Sequence, residues 1–323
     1  MASTVALPKV VALGGGHGLA ATLSALRSLT PNITAIVTVA DNGGSSGRLR
    51  KEFPILPPGD LRMALASLCS DDEWGRSWAE IMQHRFTTDG VLDGHAIGNL
   101  LLAALWDREA DPVVGLDRVG SLLKVVGRVL PMASEPLDIE ATFNTAEGIR
   151  VVRGQVEVAT TKGKLESLRL LPENPPARRE AVEALAQADW ITMGPGSWIS
   201  SVLPHLLVPE LRTALSASKG KRVIILNLDA SSESSGDEYA GYSPKEHLSL
   251  IAKYAPDMKA DFVIADESVV KNPTVLRDLQ NQVEEMSGTL LVAELRKSPT
   301  TVHHDITKLT QTLGNIMTNS LIG

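Results

Sequence analysis

The sequence predicts an α/β fold of the Rossmann-like kind, a mainly parallel sheet with helices on both faces and a β-rich insertion. Three observations predict it. Short, continuously apolar runs recur at residues 10–13 (VVAL), 33–39 (ITAIVTV), 190–193 (WITM) and 222–228 (RVIILNL), as strands covered on both faces require. Helix-periodic stretches lie between them. The first three runs each lead into a glycine-rich stretch, the construction of a phosphate-binding crevice in an open α/β sheet.

The totals narrow the function classes. The 323 residues, 43% of them hydrophobic, are read as one α/β nucleotide-binding domain, residues 1–323, with the insertion at about 135–175. No run approaches the roughly 20 apolar residues of a membrane span. The first apolar run stops at Gly14 with no basic stretch before it, which argues against a secretory signal. The single cysteine, Cys69, excludes an internal disulfide and suits a reducing, cytoplasmic setting. Its neighbours (MALASLC) read as a buried small hydrophobe. A net charge of −7 gives nucleic-acid binding no general electrostatic support.

The first strand, residues 10–13, is followed at once by Gly14, Gly15, Gly16 and Gly18, then by the helical period of Leu19, Leu23 and Leu26. Bare backbone N–H groups at a helix start attract anions. A tight turn is the alternative reading of the glycines, and their position directly between strand and helix favours the phosphate reading; His17 reads equally as a loop residue or an anion contact. The second strand runs into Asp41, Asn42, Gly43, Gly44, Ser45, Ser46, Gly47 and Arg48. Asp41 stands near the place of a ribose-binding acid, yet GGGHGL lacks the final glycine of G-x-G-x-x-G. A standard NAD site is therefore disfavoured. The Gly/Ser stretch reads as a second anion cradle, or as a loop beside a carboxylate that holds a metal.

Residues 57–62 (PPGDLR) read as a turn and helix start, with Asp60 as N-cap or, with Arg62, facing the crevice. Residues 74–86 read as a peripheral helix and 87–90 as a turn. Residues 94–100 (GHAIGNL) open a helix to about residue 106, on which His95 and Asn99 share a face. They read either as a hydrogen-bonded core pair or as ligand contacts. Residues 139–143, 149–160 and 164–171 alternate as antiparallel strands, with turns at Gly148 and residues 162–164. A helix follows at about 178–188. After the strand at 190–193 comes Gly194-Pro195-Gly196-Ser197, where Ser197 lacks the pattern of a nucleophile elbow and reads as a phosphate-contacting hydroxyl. The strand at 222–228 holds Asn227 and precedes a polar loop at 230–241, Tyr242, and a helix that Ser243-Pro244 begins. A strand at 261–265, a helix at 273–286, a strand at 289–294 with Arg296 beyond it, and a final helix complete the chain. His303 and His304 at its start read as surface or capping residues.

Together VVALGGGHGL, VTVADNGGSSGRLR, PPGDLRMALASL, GHAIGNLLLAAL, MGPGSWISSVLPHLL and GYSPKEHL resemble the gluconeogenesis factor family (YvcK-like), related to the 2-phospho-L-lactate transferases (CofD-like). The resemblance runs in order over most of the chain. It implies a cytoplasmic protein binding a nucleotide sugar such as UDP-N-acetylglucosamine, associated with cell shape and wall synthesis on gluconeogenic carbon sources. Cell-wall synthesis proteins and a second copy of the chain are the partners that go with it. The related transferases imply a rival: transfer of a phospholactyl-type group from a guanylated donor, with Asp41 and Asp60 around Mg²⁺. Asn42 stands where many relatives carry a second aspartate, which weighs against that chemistry. The segment before Tyr242 departs from the family pattern, so Asp237 and Glu238 receive no role.

The expectation is accordingly a binding protein. Its diphosphate lies on Gly14–Gly18 and the Gly194, Gly196 and Ser197 loop. Asp41 contacts ribose or a cation, Asn227 fixes a polar edge, and Tyr242 stacks on a base or sugar. Asn42, Ser45, Ser46, Arg62, His95, Asn99 and Arg296 complete the candidate set. The threonines at 300, 301, 307, 310 and 312 include candidates for phosphorylation, which their spacing does not single out.

Overall fold

The computed structural model describes residues 7–228, 242–298 and 301–319. The predicted loop at 230–241, with Asp237 and Glu238, and Thr300 lie outside the described residues. Seven strands form one parallel sheet: β1 (Val10–Gly14), β2 (Ile33–Val37), β3 (Arg128–Pro131), β7 (Trp190–Met193), β8 (Lys221–Ile225), β9 (Phe262–Asp266) and β10 (Thr289–Ala293). A second, antiparallel sheet is made by β4 (Asp138–Thr145), β5 (Gly148–Arg153) and β6 (Lys164–Leu171). The order across the large sheet is β10-β9-β8-β7-β1-β2-β3. The chain thus walks outward from β1 to β3, makes the insertion, and returns to the other side of β1. That reversal creates a crevice at the carboxyl ends of β1 and β7, where open α/β sheets bind ligands.

The strands are central because they are apolar on both faces. All of β1 and β7 is buried, and register fixes Val10 beside both Ile33 and Trp190. Helices cover the sheet on both faces. They are α1 (Gly16–Leu26), α2 (Gly44–Glu52), α3 (Pro58–Ser67), α4 (Glu73–Gln83), α5 (Ile97–Arg108), α6 (Pro112–Leu123), α7 (Gln155–Thr160), α8 (Arg179–Gln187), α9 (Leu203–Leu207), α10 (Pro209–Ala217), α11 (Pro244–Tyr254), α12 (Pro273–Glu285) and α13 (Ile306–Asn319). Start signals in the sequence are realised physically. The Ser243 hydroxyl accepts from the Glu246 N–H while the Glu246 carboxylate accepts from the Ser243 N–H, a capping box worth about 1 kcal/mol. α13 packs on α1, and the Thr310 hydroxyl reaches the Ala25 carbonyl at 3.4 Å.

Several expectations need correction. The Gly/Ser stretch after β2 is not a loop, since α2 begins at Gly44. Asp60 is not an N-cap; that position is Pro57, and Asp60 sits in the first turn of α3. The run 149–160 is not one strand. Gly154 at φ +108, a backbone angle that suits glycine, ends β5, and QVEVAT turns into α7. The sequence reading also passed over α6 and β3. Finally, His304 is buried rather than exposed, and the side chain that caps α13 is Asp305, which accepts from the Lys308 N–H at 3.0 Å.

Candidate functional site

The donor-rich half of the crevice is built from backbone. β1 ends at Gly14 and α1 starts at Gly16, with Gly15 as an N-cap that offers no side chain. The first-turn N–H groups of any helix lack intrahelical acceptors; at α1 the Gly16 N–H is taken by the Asp60 carboxylate, and the His17 and Gly18 N–H groups remain for something in the crevice. The helix start lies flush on the loop after β7. A Cβ on Gly18 would strike the Pro195 carbonyl and sit 2.7 Å from Gly196 Cα. The Thr22 hydroxyl donates to the Gly194 carbonyl at 3.0 Å. Asn227, just beyond β8, clamps the same loop from the other side, accepting from the Gly196 N–H at 2.8 Å and donating to its carbonyl at 2.9 Å. Ser197 accepts from the Ser200 N–H at 3.0 Å and so heads a π-helical turn, Trp198–Val202.

Between these parts lies a cavity of about 360 Å³, within the range of small-molecule sites. Its walls are the 15–18 turn, the 195–201 loop, Asn227 with Leu228, and residues 302–304. Asp60 and the insertion's Gln155 complete it.

Asp60 brings a buried carboxylate to this wall. It accepts from the Gly16 N–H, yet burial, and then the Asp41 carboxylate beside it, push its pKa up to about 7. Asp41 is also raised, again mainly by burial, against bonds from the Gly43 N–H (2.8 Å) and the Ser46 hydroxyl. Ser46 in turn accepts from the Gly59 N–H at 3.0 Å. Two neighbouring carboxylates completed by phosphate oxygens would be a donor set that suits Mg²⁺. Among the described residues no three His, Cys, Asp or Glu side chains gather as a protein-only metal site.

The remaining residues after β2 turn inward. Ser45 Oγ lies 2.9 Å from His95 Nδ1 and accepts from Asn99 Nδ2 at 3.0 Å. All three are buried, and burial, followed by the nearby Arg48, lowers the His95 pKa. Arg62 is also buried, its Nε without a partner, as is Asn99 Oδ1. Burial, then Arg85, lowers the Arg62 pKa to about 10 despite Asp60. The α5 glycine Gly98 makes room for this arginine, since a Cβ there would lie 2.7 Å from Arg62 Cγ.

Three further predicted residues stand outside the cavity wall. Asn42 accepts from the Gln155 N–H at 2.9 Å and so fastens α7 to the end of β2. Tyr242, only 7% exposed, stacks on His247 (5.8 Å between centroids), which stacks on Trp198 (5.2 Å), while its hydroxyl accepts from the Leu165 N–H. Arg296 ties the Leu228 carbonyl (2.8 Å) to the β9–β10 side, where its N–H donates to Asp266 (3.0 Å). Gly15, Gly16, His17, Gly18, Asp60, Gly196, Ser197 and Asn227 do meet at the cavity. The sequence reading missed Gln155, Ser201 and His304. For Gln155 the signal was Gly154, a glycine interrupting a strand pattern.

Comparison with known proteins agrees with this architecture. The family described as 2-phospho-L-lactate transferase CofD matches residues 10–321. A putative gluconeogenesis factor of Mycobacterium leprae is 50% identical over 317 residues, 96% of this chain and 86% of its own. A gluconeogenesis factor of Listeria innocua is 34% identical, covering 86% of this chain and 85% of its own. A crystal structure of a UPF0052 family protein from Bacillus halodurans superposes with a TM-score of 0.79 at 29% identity, over 96% of this chain and 99% of that one. Among the described residues no helix is long and apolar enough to cross a membrane.

Proposed function

The chain belongs to the CofD family, with gluconeogenesis factors among its relatives, and on that premise we propose that it binds a nucleotide sugar and regulates rather than catalyses. The ligand is of the UDP-N-acetylglucosamine kind. The role is a cytoplasmic one in wall-precursor supply and cell shape during growth on gluconeogenic carbon sources. The observation that carries this reading is the cavity at the β1–β7 reversal, whose glycine-built wall presents the uncapped start of α1. Backbone N–H groups and the positive end of a helix favour a diphosphate.

A second reading has one specific observation in its favour, the buried Asp60 carboxylate close enough to Asp41 for the two charges to repel. Under it they hold Mg²⁺ against phosphate oxygens, the ion supplying charge neutralisation for transfer of a phosphorus-containing group. Calorimetry with UDP-N-acetylglucosamine, GDP and GTP, each with and without Mg²⁺, separates the two. The binding reading expects UDP-N-acetylglucosamine to bind without being consumed, and Asp41→Ala to weaken that binding. Tight guanine-nucleotide binding without UDP-sugar binding sinks it and favours the transferase.

A further inference from the structure

From the insertion's side of the cavity we infer that Gln155 is a specificity residue: its side-chain amide reads an uncharged polar group of the ligand, a hydroxyl or an amide, away from the phosphate-binding start of α1. The inference rests on the ligand-binding reading above and adds which side chain recognises the ligand's sugar end.

Gln155 is the first residue of α7, and among the described residues it is the only one of the insertion to line the cavity. Its backbone is fixed from several sides. The Gly154 N–H donates to the Ile139 carbonyl at 2.8 Å, and the Gln155 N–H donates to Asn42 Oδ1 at 2.9 Å. One turn on, the Val158 N–H returns to the Gly154 carbonyl at 2.9 Å, and the Val158 side chain is fully buried. α7 also packs on β4 and on the 198–202 turn, so the helix start is held at the crevice. The side chain ends beside the junction after β2. Its Oε1 lies 3.5 Å from the point where a Cβ on Gly43 would stand, and Asp41 Oδ1 lies 3.3 Å from the same point. The residue is half-buried, so a molecule in the cavity reaches it, and its amide has no hydrogen-bond partner among the described residues.

The neighbours decide what the amide meets. A primary amide carries two N–H donors and a carbonyl acceptor and no charge, so by itself it pairs with hydroxyls, amides and anions alike. Asp60 lines the same cavity, and Asp41 stands beside Gln155. Carboxylate oxygens accept hydrogen bonds and, with no cation between, repel phosphate. The diphosphate therefore goes to the His17 and Gly18 N–H groups at the start of α1. A hydroxyl or acetamido group placed at Gln155 accepts from Nε2 and donates to Oε1 or to a carboxylate. A phosphate oxygen, an acceptor only, does the first and not the second. The cavity thus makes opposite demands on its two sides. A nucleoside diphosphate joined to a hydroxyl-rich sugar meets both, and a bare nucleoside diphosphate meets one.

The experiment uses the full chain, with UDP-N-acetylglucosamine and UDP as probes. Gln155→Met keeps the length of the side chain and the backbone N–H that Asn42 holds, and removes the amide. By calorimetry without Mg²⁺ this variant should bind UDP-N-acetylglucosamine about tenfold more weakly than wild type. Its affinity for UDP should stay within about twofold, and its melting temperature should not change. Equal affinity of wild type and Gln155→Met for UDP-N-acetylglucosamine overturns the inference and leaves the ligand-binding reading standing. An equal loss for UDP, which lacks the sugar, does the same. In the chain labelled with ¹⁵N-glutamine, the side-chain NH₂ signal that Gln155→Met removes should move when wild type is saturated with UDP-N-acetylglucosamine. An unmoved signal overturns the inference. So does binding that requires Mg²⁺, because a cation at the carboxylates draws phosphate to that side. No binding of UDP-N-acetylglucosamine, GDP or GTP by wild type, with or without Mg²⁺, overturns both readings.

Discussion

Two glycine-rich junctions of nearly the same composition follow neighbouring strands, and the chain uses them in opposite ways. After β1, Gly15 and Gly18 carry no side chains, the helix start has no N-cap side chain and only Asp60 takes one of its N–H groups, and the backbone faces a cavity. After β2, Ser45 and Ser46 fall in the first turn of α2 and spend their hydroxyls on His95, Asn99, Asp41 and Gly59. One junction is left open to an incoming anion, and the other is closed by the protein's own polar groups. Composition alone does not separate them. What separates them is whether the residues in the first helical turn have side chains able to reach inward.

That contrast can be tested from both sides. The largest effect belongs to Asp60, which stands where the two junctions meet. Its folded pKa of about 7 lies above the usual carboxylate value, so between about pH 4 and 7 the folded state holds a proton that the unfolded state has lost. Stability therefore falls as pH rises through that window, by up to about 4 kcal/mol. Urea titrations at several pH values should show this slope, and Asp60→Asn should flatten it. An unchanged slope in the variant removes Asp60 as its source.

The open junction is next. Gly18→Ala puts a Cβ against the Pro195 carbonyl, where backbone must shift. A loss of about 3 kcal/mol is expected, with UDP-N-acetylglucosamine binding weakened as the two loops part. Full stability with full binding would mean that the contact of α1 with the 195–196 loop does not matter. In the closed junction, Ser45→Ala leaves Asn99 Nδ2 and His95 Nδ1 without their shared partner. It should cost about 1–2 kcal/mol by thermal or chemical unfolding while changing nucleotide affinity less than about threefold. A large loss of affinity at unchanged stability would show that the second junction is also a ligand site and erase the contrast. The smallest effect is Tyr242→Phe, which leaves the Leu165 N–H unpaired. About 1 kcal/mol of stability should go, and ligand affinity should stay if the ring's place is the stack on His247. A selective loss of affinity would return Tyr242 to the base or sugar.

The parts of this architecture that could be read in the sequence are those fixed by local pattern. β1 and β7 through β9 were located to within a few residues, because strands buried on both faces must be apolar throughout, and the edge strand β10 was found from its TLLVA run although its residues are exposed or half-buried. β3 escaped because RVLP is short and ends in proline. α7 escaped because QVEVAT alternates like a strand, and only the positive φ of Gly154 breaks the run. In the site, the glycines around α1 were legible because a bare helix start needs them. Asp60 was legible as an even choice between a cap and a crevice-facing carboxylate; what the local pattern did not hold is its burial beside Asp41, which depends on how α3 meets the strand ends. His304 was illegible, since two adjacent histidines read as surface until a pairing with Arg296 turns one of them inward.

That pairing has a consequence for how the molecule holds together. The wall carrying His304 and the wall carrying Gly15 are about 290 residues apart in sequence, so the cavity is among the longest-range contacts the chain makes, and such contacts form late. A ligand held by both walls works as a removable staple across that span. Binding the folded state and not the unfolded one, such a ligand would stabilise the closure of the two ends of the fold more as its concentration rises above Kd.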